Sequence, residues 1–109
     1  MNGAADAEVR ERRILDVMRA LREGEVTTYG DVADTAGYPK LSRLVGRILA
    51  TTDAEVPWWR VVNASGQLRA HDGREQTALL RSEGVDVRDG RVRNAPSGRF
   101  SRPTRPPRP

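Results

Sequence analysis

The chain contains no cysteine and a single histidine, His71. The first absence excludes disulfides, thiolate metal ligands and every mechanism built on a thiol nucleophile. The second leaves no pair of imidazoles for a zinc site, so neither a metal nor any other cofactor is expected. Apolar runs are only a few residues long, which offers no secretory leader and no membrane span. With 109 residues, the sequence reads as one domain of modest size, a soluble protein of the cytoplasm without a membrane partner.

Positive charge is also scarcer than the total suggests. The formal net charge is +4, but residues 90–109 carry six arginines (Arg91, Arg93, Arg99, Arg102, Arg105 and Arg108) and no acid. The rest of the chain holds 13 basic and 15 acidic residues. A nucleic-acid surface on the folded body must therefore be a local patch and not a global field.

What is present begins with helical periodicity. In "AEVRERRILDVMRALREG", Ile14, Met18 and Leu21 recur at helical spacing until Gly24, as in an amphipathic helix with a charged outer face. In "EVTTYGDVADTAGYP", Thr28 is placed to cap a short helix, with Asp31 three residues on and Gly37 at its end. In "KLSRLVGRILAT", Leu41, Leu44, Val45, Ile48 and Leu49 share one arc, while Ser42, Arg43, Gly46, Arg47 and Ala50 share the other. A glycine inside a helix costs about 1 kcal/mol relative to alanine, and small residues there let another backbone come close. A short helix, a glycine-containing turn and a second helix bearing arginines read as a helix-turn-helix.

Downstream, "REQTALLRSEG" reads as a further helix, and "VDVRDGRVRN" alternates around Asp89-Gly90, a strong hairpin signal. The last stretch is rich in proline and arginine, so residues 1–93 are expected to form the domain and 94–109 a disordered tail. Between these lies "EVPWWRVVNASG", holding both tryptophans side by side. In a strand, neighbours point to opposite faces, so one core does not easily take both.

Five motifs in order, "VTTYGDVA", "RLVGRIL", "PWWRVV", the Ser65-Gly66 turn and "LLRSEGV", resemble the DNA-binding domain of the O6-alkylguanine-DNA alkyltransferases. The resemblance covers about residues 9–93. It implies a mainly α fold with a small β element, a winged helix-turn-helix-like domain. In those enzymes the motif reads Pro-Cys-His-Arg and the cysteine takes the alkyl group. Here Trp58 follows Pro57 in that place, as in the non-enzymatic alkyltransferase-like proteins, and Trp59 replaces the histidine.

The resemblance implies roles for several residues. Arg43 is the finger inserted where an extruded base had been, and Tyr29 presses on the flanking phosphate. Thr28, Ser42 and Arg47 contact backbone or groove, with Gly46 giving close approach. Trp58, Tyr29, Arg69 and His71 line a lesion pocket, the last two sensing the electrostatic potential of the base. Pro57, Trp59, Arg60 and Glu83 support the site; Arg60 is expected to pair with a carboxylate, and Glu83 matches the glutamate of the histidine network. In strand-like geometry Trp58 faces the pocket and Trp59 faces inward toward Glu83.

Alkyl transfer from guanine O6 needs an activated soft nucleophile, and Trp58 cannot act as one. The expected activity is therefore binding: a monomer that flips O6-alkylguanine out of double-stranded DNA, meets it with an indole, and passes the damage to nucleotide excision repair. Two other readings remain open from residues alone. One is a helix-turn-helix regulator without lesion selectivity, and the other an enzyme using a carboxylate such as Asp72 or Glu83.

Overall fold

The computed structural model describes residues 3–69 and 73–101. The amphipathic start forms α1 (Gly3–Arg19) with Ile14, Leu15 and Met18 buried. It stops five residues before Gly24, and two tight turns, Leu21 N–H to Met18 C=O and Glu25 N–H to Arg22 C=O, lead into strand β1 (Glu25–Thr28). This strand is legible only as alternation over four residues, with Val26 and Thr28 buried, and the sequence reading absorbed it into the approach to the next helix.

Helix α2 (Tyr29–Ala36) starts where the cap demands: the Thr28 hydroxyl accepts from the Asp31 N–H at 3.0 Å. It ends at Gly37, left-handed at φ 94°, where the N–H groups of Gly37 and Tyr38 return to Asp34 and Ala33. After a short turn comes α3 (Ser42–Thr51), burying Val45, Ile48 and Leu49. Leu41 and Leu44 are only partly buried, at the edge of the same core. The helix-turn-helix read from the sequence is thus the α2–α3 pair.

The tryptophan segment is not a strand. Trp58–Arg60 forms one turn of 3-10 helix, closed by Arg60 N–H to Pro57 C=O and Val61 N–H to Trp58 C=O, before the two-residue strand β2 (Val61–Val62). Helix α4 (Gly73–Ser82) buries Leu80 and, less usually for its polarity, Gln76, while Ala78 is exposed. Strands β3 (Asp86–Arg88) and β4 (Arg91–Asn94) form the antiparallel hairpin around Asp89-Gly90, both left-handed at φ 55° and 71°, as a primed two-residue turn requires.

The expected boundary at residue 93 falls too early. Ala95 is buried, β5 (Ser97–Gly98) pairs with β1, and Phe100 packs on the core. Composition pointed to disorder because the arginines and prolines outnumber core formers, yet backbone bonds from Ala95, Ser97, Arg99 and Ser101 hold residues 95–101. Residues 102–109 lie outside the described residues.

The sheet runs β2-β1-β5, with β1 parallel to both neighbours. It separates two cores. Val61 joins the cluster of α1, α2 and α3, whereas Val62 and Val26 join Leu80 of α4 and Val87 and Val92 of the hairpin. Alternation along a strand sends successive side chains to opposite sides, which makes so short a sheet a partition. The architecture is mainly helical with a small sheet. Among the described residues no helix is long and apolar enough to cross a membrane.

Candidate nucleic-acid interface and the tryptophan pair

The two indoles are divided by the same partition. A residue in a 3-10 turn is rotated by about 120° from its predecessor, so adjacent rings diverge. Trp58 packs on the α1–α3 core and Trp59 on the α4–hairpin core. Their planes meet at 88° with centroids 6.1 Å apart. Opposite facing was expected, but the tight turn produces it in place of strand pleating.

Trp59 ends in a buried polar knot. Its indole Nε1–H donates to Glu83 Oε2 at 2.8 Å. Arg60 donates from Nη2 to Oε2 at 2.7 Å and from Nε to Oε1 at 2.9 Å, and the Gly24 N–H donates to Oε1 at 2.8 Å. The third arm of Arg60, Nη1, donates to the Leu21 carbonyl at 2.8 Å. The guanidinium carbon also stands 5.2 Å from the centroid of the Trp59 ring, within cation–π range. The Glu83 and Arg60 side chains are only 7% and 14% exposed.

Burial by itself would raise the Glu83 pKa. The hydrogen bonds from Arg60, Gly24 and Trp59, with the Arg60 charge, outweigh it and hold the carboxyl below the ordinary glutamate value. The carboxylate that Arg60 was expected to find is Glu83, and Trp59, turned toward it, adds its N–H to the same group. A carboxylate needs donors, and an indole N–H serves as well as an imidazole N–H in that capacity.

Gln76 is a residue the sequence reading missed. Fully buried, it donates from Nε2 to the carbonyls of Trp59 and Val61 at 3.1 and 3.2 Å and accepts from the Arg69 N–H at 2.9 Å. It ties the tryptophan turn to the backbone of Arg69. Its signal was available: Gln76 sits four residues before Leu80, on the apolar stripe of α4, where a polar residue must find partners.

Two hollows frame the expected site. One, of about 470 Å³, brings together Thr28, Tyr29, Ser42, Arg43 and Gly46, as the sequence suggested, and adds Asn63 and Arg99. Arg43 and Arg47 are exposed on α3, one turn apart. A Cβ built on Gly46 would meet nothing within 4 Å. No internal contact therefore requires glycine there, and the open side faces outward. Tyr29 packs partly on the core while lining this hollow.

The other hollow, of about 620 Å³, is lined by Pro57, Trp58, Trp59 and Arg60 together with Val56 and Arg19. Trp58 and Tyr29, expected around one pocket, thus line separate hollows. Trp59, expected to face inward toward Glu83, lines the tryptophan hollow as well. Arg69 is half-buried with its backbone held by Gln76. His71 and Asp72 lie outside the described residues.

Comparison with known proteins places these features in a wider set. Residues 10–85 match the family described as 6-O-methylguanine DNA methyltransferase, DNA binding domain. The chain is 37% identical over 79 residues to the DNA base-flipping protein of Vibrio parahaemolyticus, an alignment covering 69% of this chain and 79% of that protein. It is 32% identical over 81 residues to alkyltransferase-like protein 1 of Schizosaccharomyces pombe, covering 69% of this chain and 75% of the relative. The fold matches the crystal structure of S. pombe Atl1 in complex with damaged DNA containing O6-carboxymethylguanine. That match has a TM-score of 0.67 and 29% identity, over 74% of this chain and 81% of the other.

Proposed function

From the premise that the chain belongs to the 6-O-methylguanine DNA methyltransferase DNA-binding-domain family yet holds no cysteine, we propose that it recognises O6-alkylguanine in double-stranded DNA without repairing it. It is not an alkyl-accepting enzyme, because displacement at the alkyl carbon needs a thiolate and the residue after Pro57 is an indole. The observation that carries the reading is the gathering of Thr28, Tyr29, Ser42, Arg43 and Gly46 around one hollow beside the exposed face of α3. The base-flipping name of the V. parahaemolyticus relative and the lesion in the S. pombe complex support it.

In this reading α3 enters the groove with Gly46 against the duplex, and Arg43 fills the gap left by the extruded nucleotide. A guanidinium plane suits that task because it stacks and still donates to the orphaned base. Tyr29 and Thr28, at the start of α2, meet the flanking phosphate, with Ser42 and Arg47 on neighbouring backbone. An alkyl group on O6 impairs pairing, so the damaged base leaves the stack at lower cost than a normal guanine. Trp58 meets it by stacking and dispersion, with Arg69 and His71 sensing the electrostatic potential of the base and Pro57 opening the tryptophan turn. Trp59, Arg60 and Glu83 hold that turn in place.

With no transfer step, the lesion persists in the complex. The protein acts as one copy in the cytoplasm, at the nucleoid, and marks the damage for nucleotide excision repair. Gel-shift titration of an O6-methylguanine duplex against the unmodified duplex tests the central claim. Tighter binding of the lesion is expected, and equal affinities would falsify lesion recognition.

A further inference from the structure

Arg99 belongs to a segment that composition consigned to a tail, yet its position is tightly prescribed. Strand β5 pairs with β1 through Glu25↔Ser97 and Val26↔Gly98, and the Arg99 N–H donates to the Val26 carbonyl at 2.9 Å. Gly98 is left-handed at φ 87°, and a Cβ there would run into the Val26 backbone oxygen. On the far side Phe100 packs into the α4–hairpin core and its carbonyl accepts from Ala95. Pinned on both sides, Arg99 lines the hollow that also holds Thr28, Tyr29 and Arg43.

Its partner there is Asp31, at 3.3 Å, with side chains 58% and 33% exposed. An exposed pair of this kind adds little to folding, so stability does not account for the arrangement. Charge within the hollow does. Two carboxylates, Asp31 and Asp34, line it, opposed by two guanidiniums, Arg43 and Arg99. With Arg43 alone the hollow would be net negative and would repel a phosphate. Arg99 cancels that repulsion, and because its exposed pair is weak it exchanges a carboxylate for a phosphate at small cost. Arg99 reaches Asp31 through Nη1 alone, at 3.3 and 3.4 Å from the two oxygens, and a guanidinium donates to a phosphate oxygen as readily as to a carboxylate.

We infer that Arg99 is a DNA-phosphate-binding residue, parked on Asp31 in the free protein and transferred to the backbone of the bound duplex. The inference rests on the hollow being the DNA interface. Contact with a phosphate carries no base information, so Arg99 adds affinity to damaged and undamaged duplex alike.

The test is fluorescence-anisotropy titration of a lesion duplex and its unmodified counterpart across a salt series. Arg99→Gln is expected to reduce the slope of log K against log salt by about 0.9 on both duplexes, the signature of one lost phosphate contact. The deficit of the variant then shrinks about threefold between about 50 and 200 mM salt. Asp31→Asn is expected to tighten both duplexes at low salt, and in that background Arg99→Gln costs more than in the wild type. Arg12→Gln removes the same charge from α1 and is expected to leave the slope unchanged.

An unchanged slope for Arg99→Gln, or the same change for Arg12→Gln, overturns the assignment. Loss of lesion preference in Arg99→Gln overturns it too, since a phosphate contact does not discriminate. Equal binding of the two duplexes by wild-type protein would sink the functional reading alone, because the slope on unmodified duplex still tests Arg99.

Discussion

The indole N–H of Trp59 donates to the carboxylate of Glu83 across 2.8 Å, and the Arg60 guanidinium that stacks beside that indole grips the same carboxylate at 2.7 Å. Tryptophan here is therefore a polar anchor as much as an apolar filler. It joins the turn that carries Trp58 to the C-terminal side of α4, through a carboxylate that also accepts from Gly24 at the entry to β1. Three segments meet on two oxygens, so disturbing them tests how the site is held.

Glu83→Gln keeps the shape and removes the charge, leaving Arg60 buried without its counter-ion. Breaking a buried pair from one side costs about 3–5 kcal/mol. Urea denaturation of the variant should show a loss of that order, with the m-value preserved.

The same carboxylate sets an acid limb. Its folded pKa lies below the ordinary value, so the unfolded chain binds its proton at higher pH than the native state does. The stability it contributes is complete above the unfolded pKa and disappears as pH falls through the folded one. Denaturation midpoints should decline on acidification below the ordinary glutamate range. In Glu83→Gln that decline should be shallower; an equally steep one would place the acid sensitivity elsewhere.

Gln76→Leu preserves approximate volume but strips the carbonyls of Trp59 and Val61 and the N–H of Arg69 of their partner. Each buried group left unpaired costs about 1–3 kcal/mol. Stability should fall, and amide exchange at Arg69 should accelerate beyond what the global loss explains.

Gly46→Ala separates folding from binding. A methyl group there meets nothing in the free protein, so the variant should be more stable by about 1 kcal/mol from helix propensity alone. If the duplex lies against this position, DNA affinity should fall while the melting temperature rises. A rise in both would remove Gly46 from the interface.

Substitutions of Trp58 and Arg43, the residues proposed to meet the extruded base and to fill its gap, should differ in character. Trp58→Leu should reduce lesion affinity by about 1–3 kcal/mol, the value of an aromatic stacking contact, with less effect on unmodified duplex. Arg43→Ala should weaken lesion binding and also reduce the fluorescence of a 2-aminopurine reporter placed opposite the lesion site, since the gap is no longer filled and the base stays stacked. A bright reporter with Arg43→Ala would mean that extrusion proceeds without the finger.

The legible parts of the fold were those governed by neighbours in sequence. Thr28 followed by Asp31, Gly37 after an apolar triplet, and Asp89-Gly90 between alternating valines each state a local rule, and α2, its cap and the hairpin obey it. The heptad-like spacing in α3 placed Val45, Ile48 and Leu49 inward and Arg43 and Arg47 outward. Strand β1 was missed because four residues are too few for periodicity to register, and β5 because Ser97-Gly98 has no strand propensity at all. The turn at Trp58–Arg60 was read as a strand since two bulky aromatic residues before two valines carry a β signature. Its 3-10 closure depends instead on the carbonyl of Pro57 and on Glu83 holding Arg60 from across the molecule.

By itself the sequence determined what the protein is unable to do and which faces its helices show: without cysteine there is no thiolate to accept an alkyl group, and helical spacing alone decides which side of α3 meets water. Tertiary structure decided where the polar anchors converge. Trp59 and Glu83 lie 24 residues apart, Gly24 and Glu83 lie 59 apart, and Arg99 and Asp31 lie 68 apart. Contacts over such separations arise only when the sheet brings its strands together and its two cores close on either side, and periods of two or 3.6 residues hold no record of them.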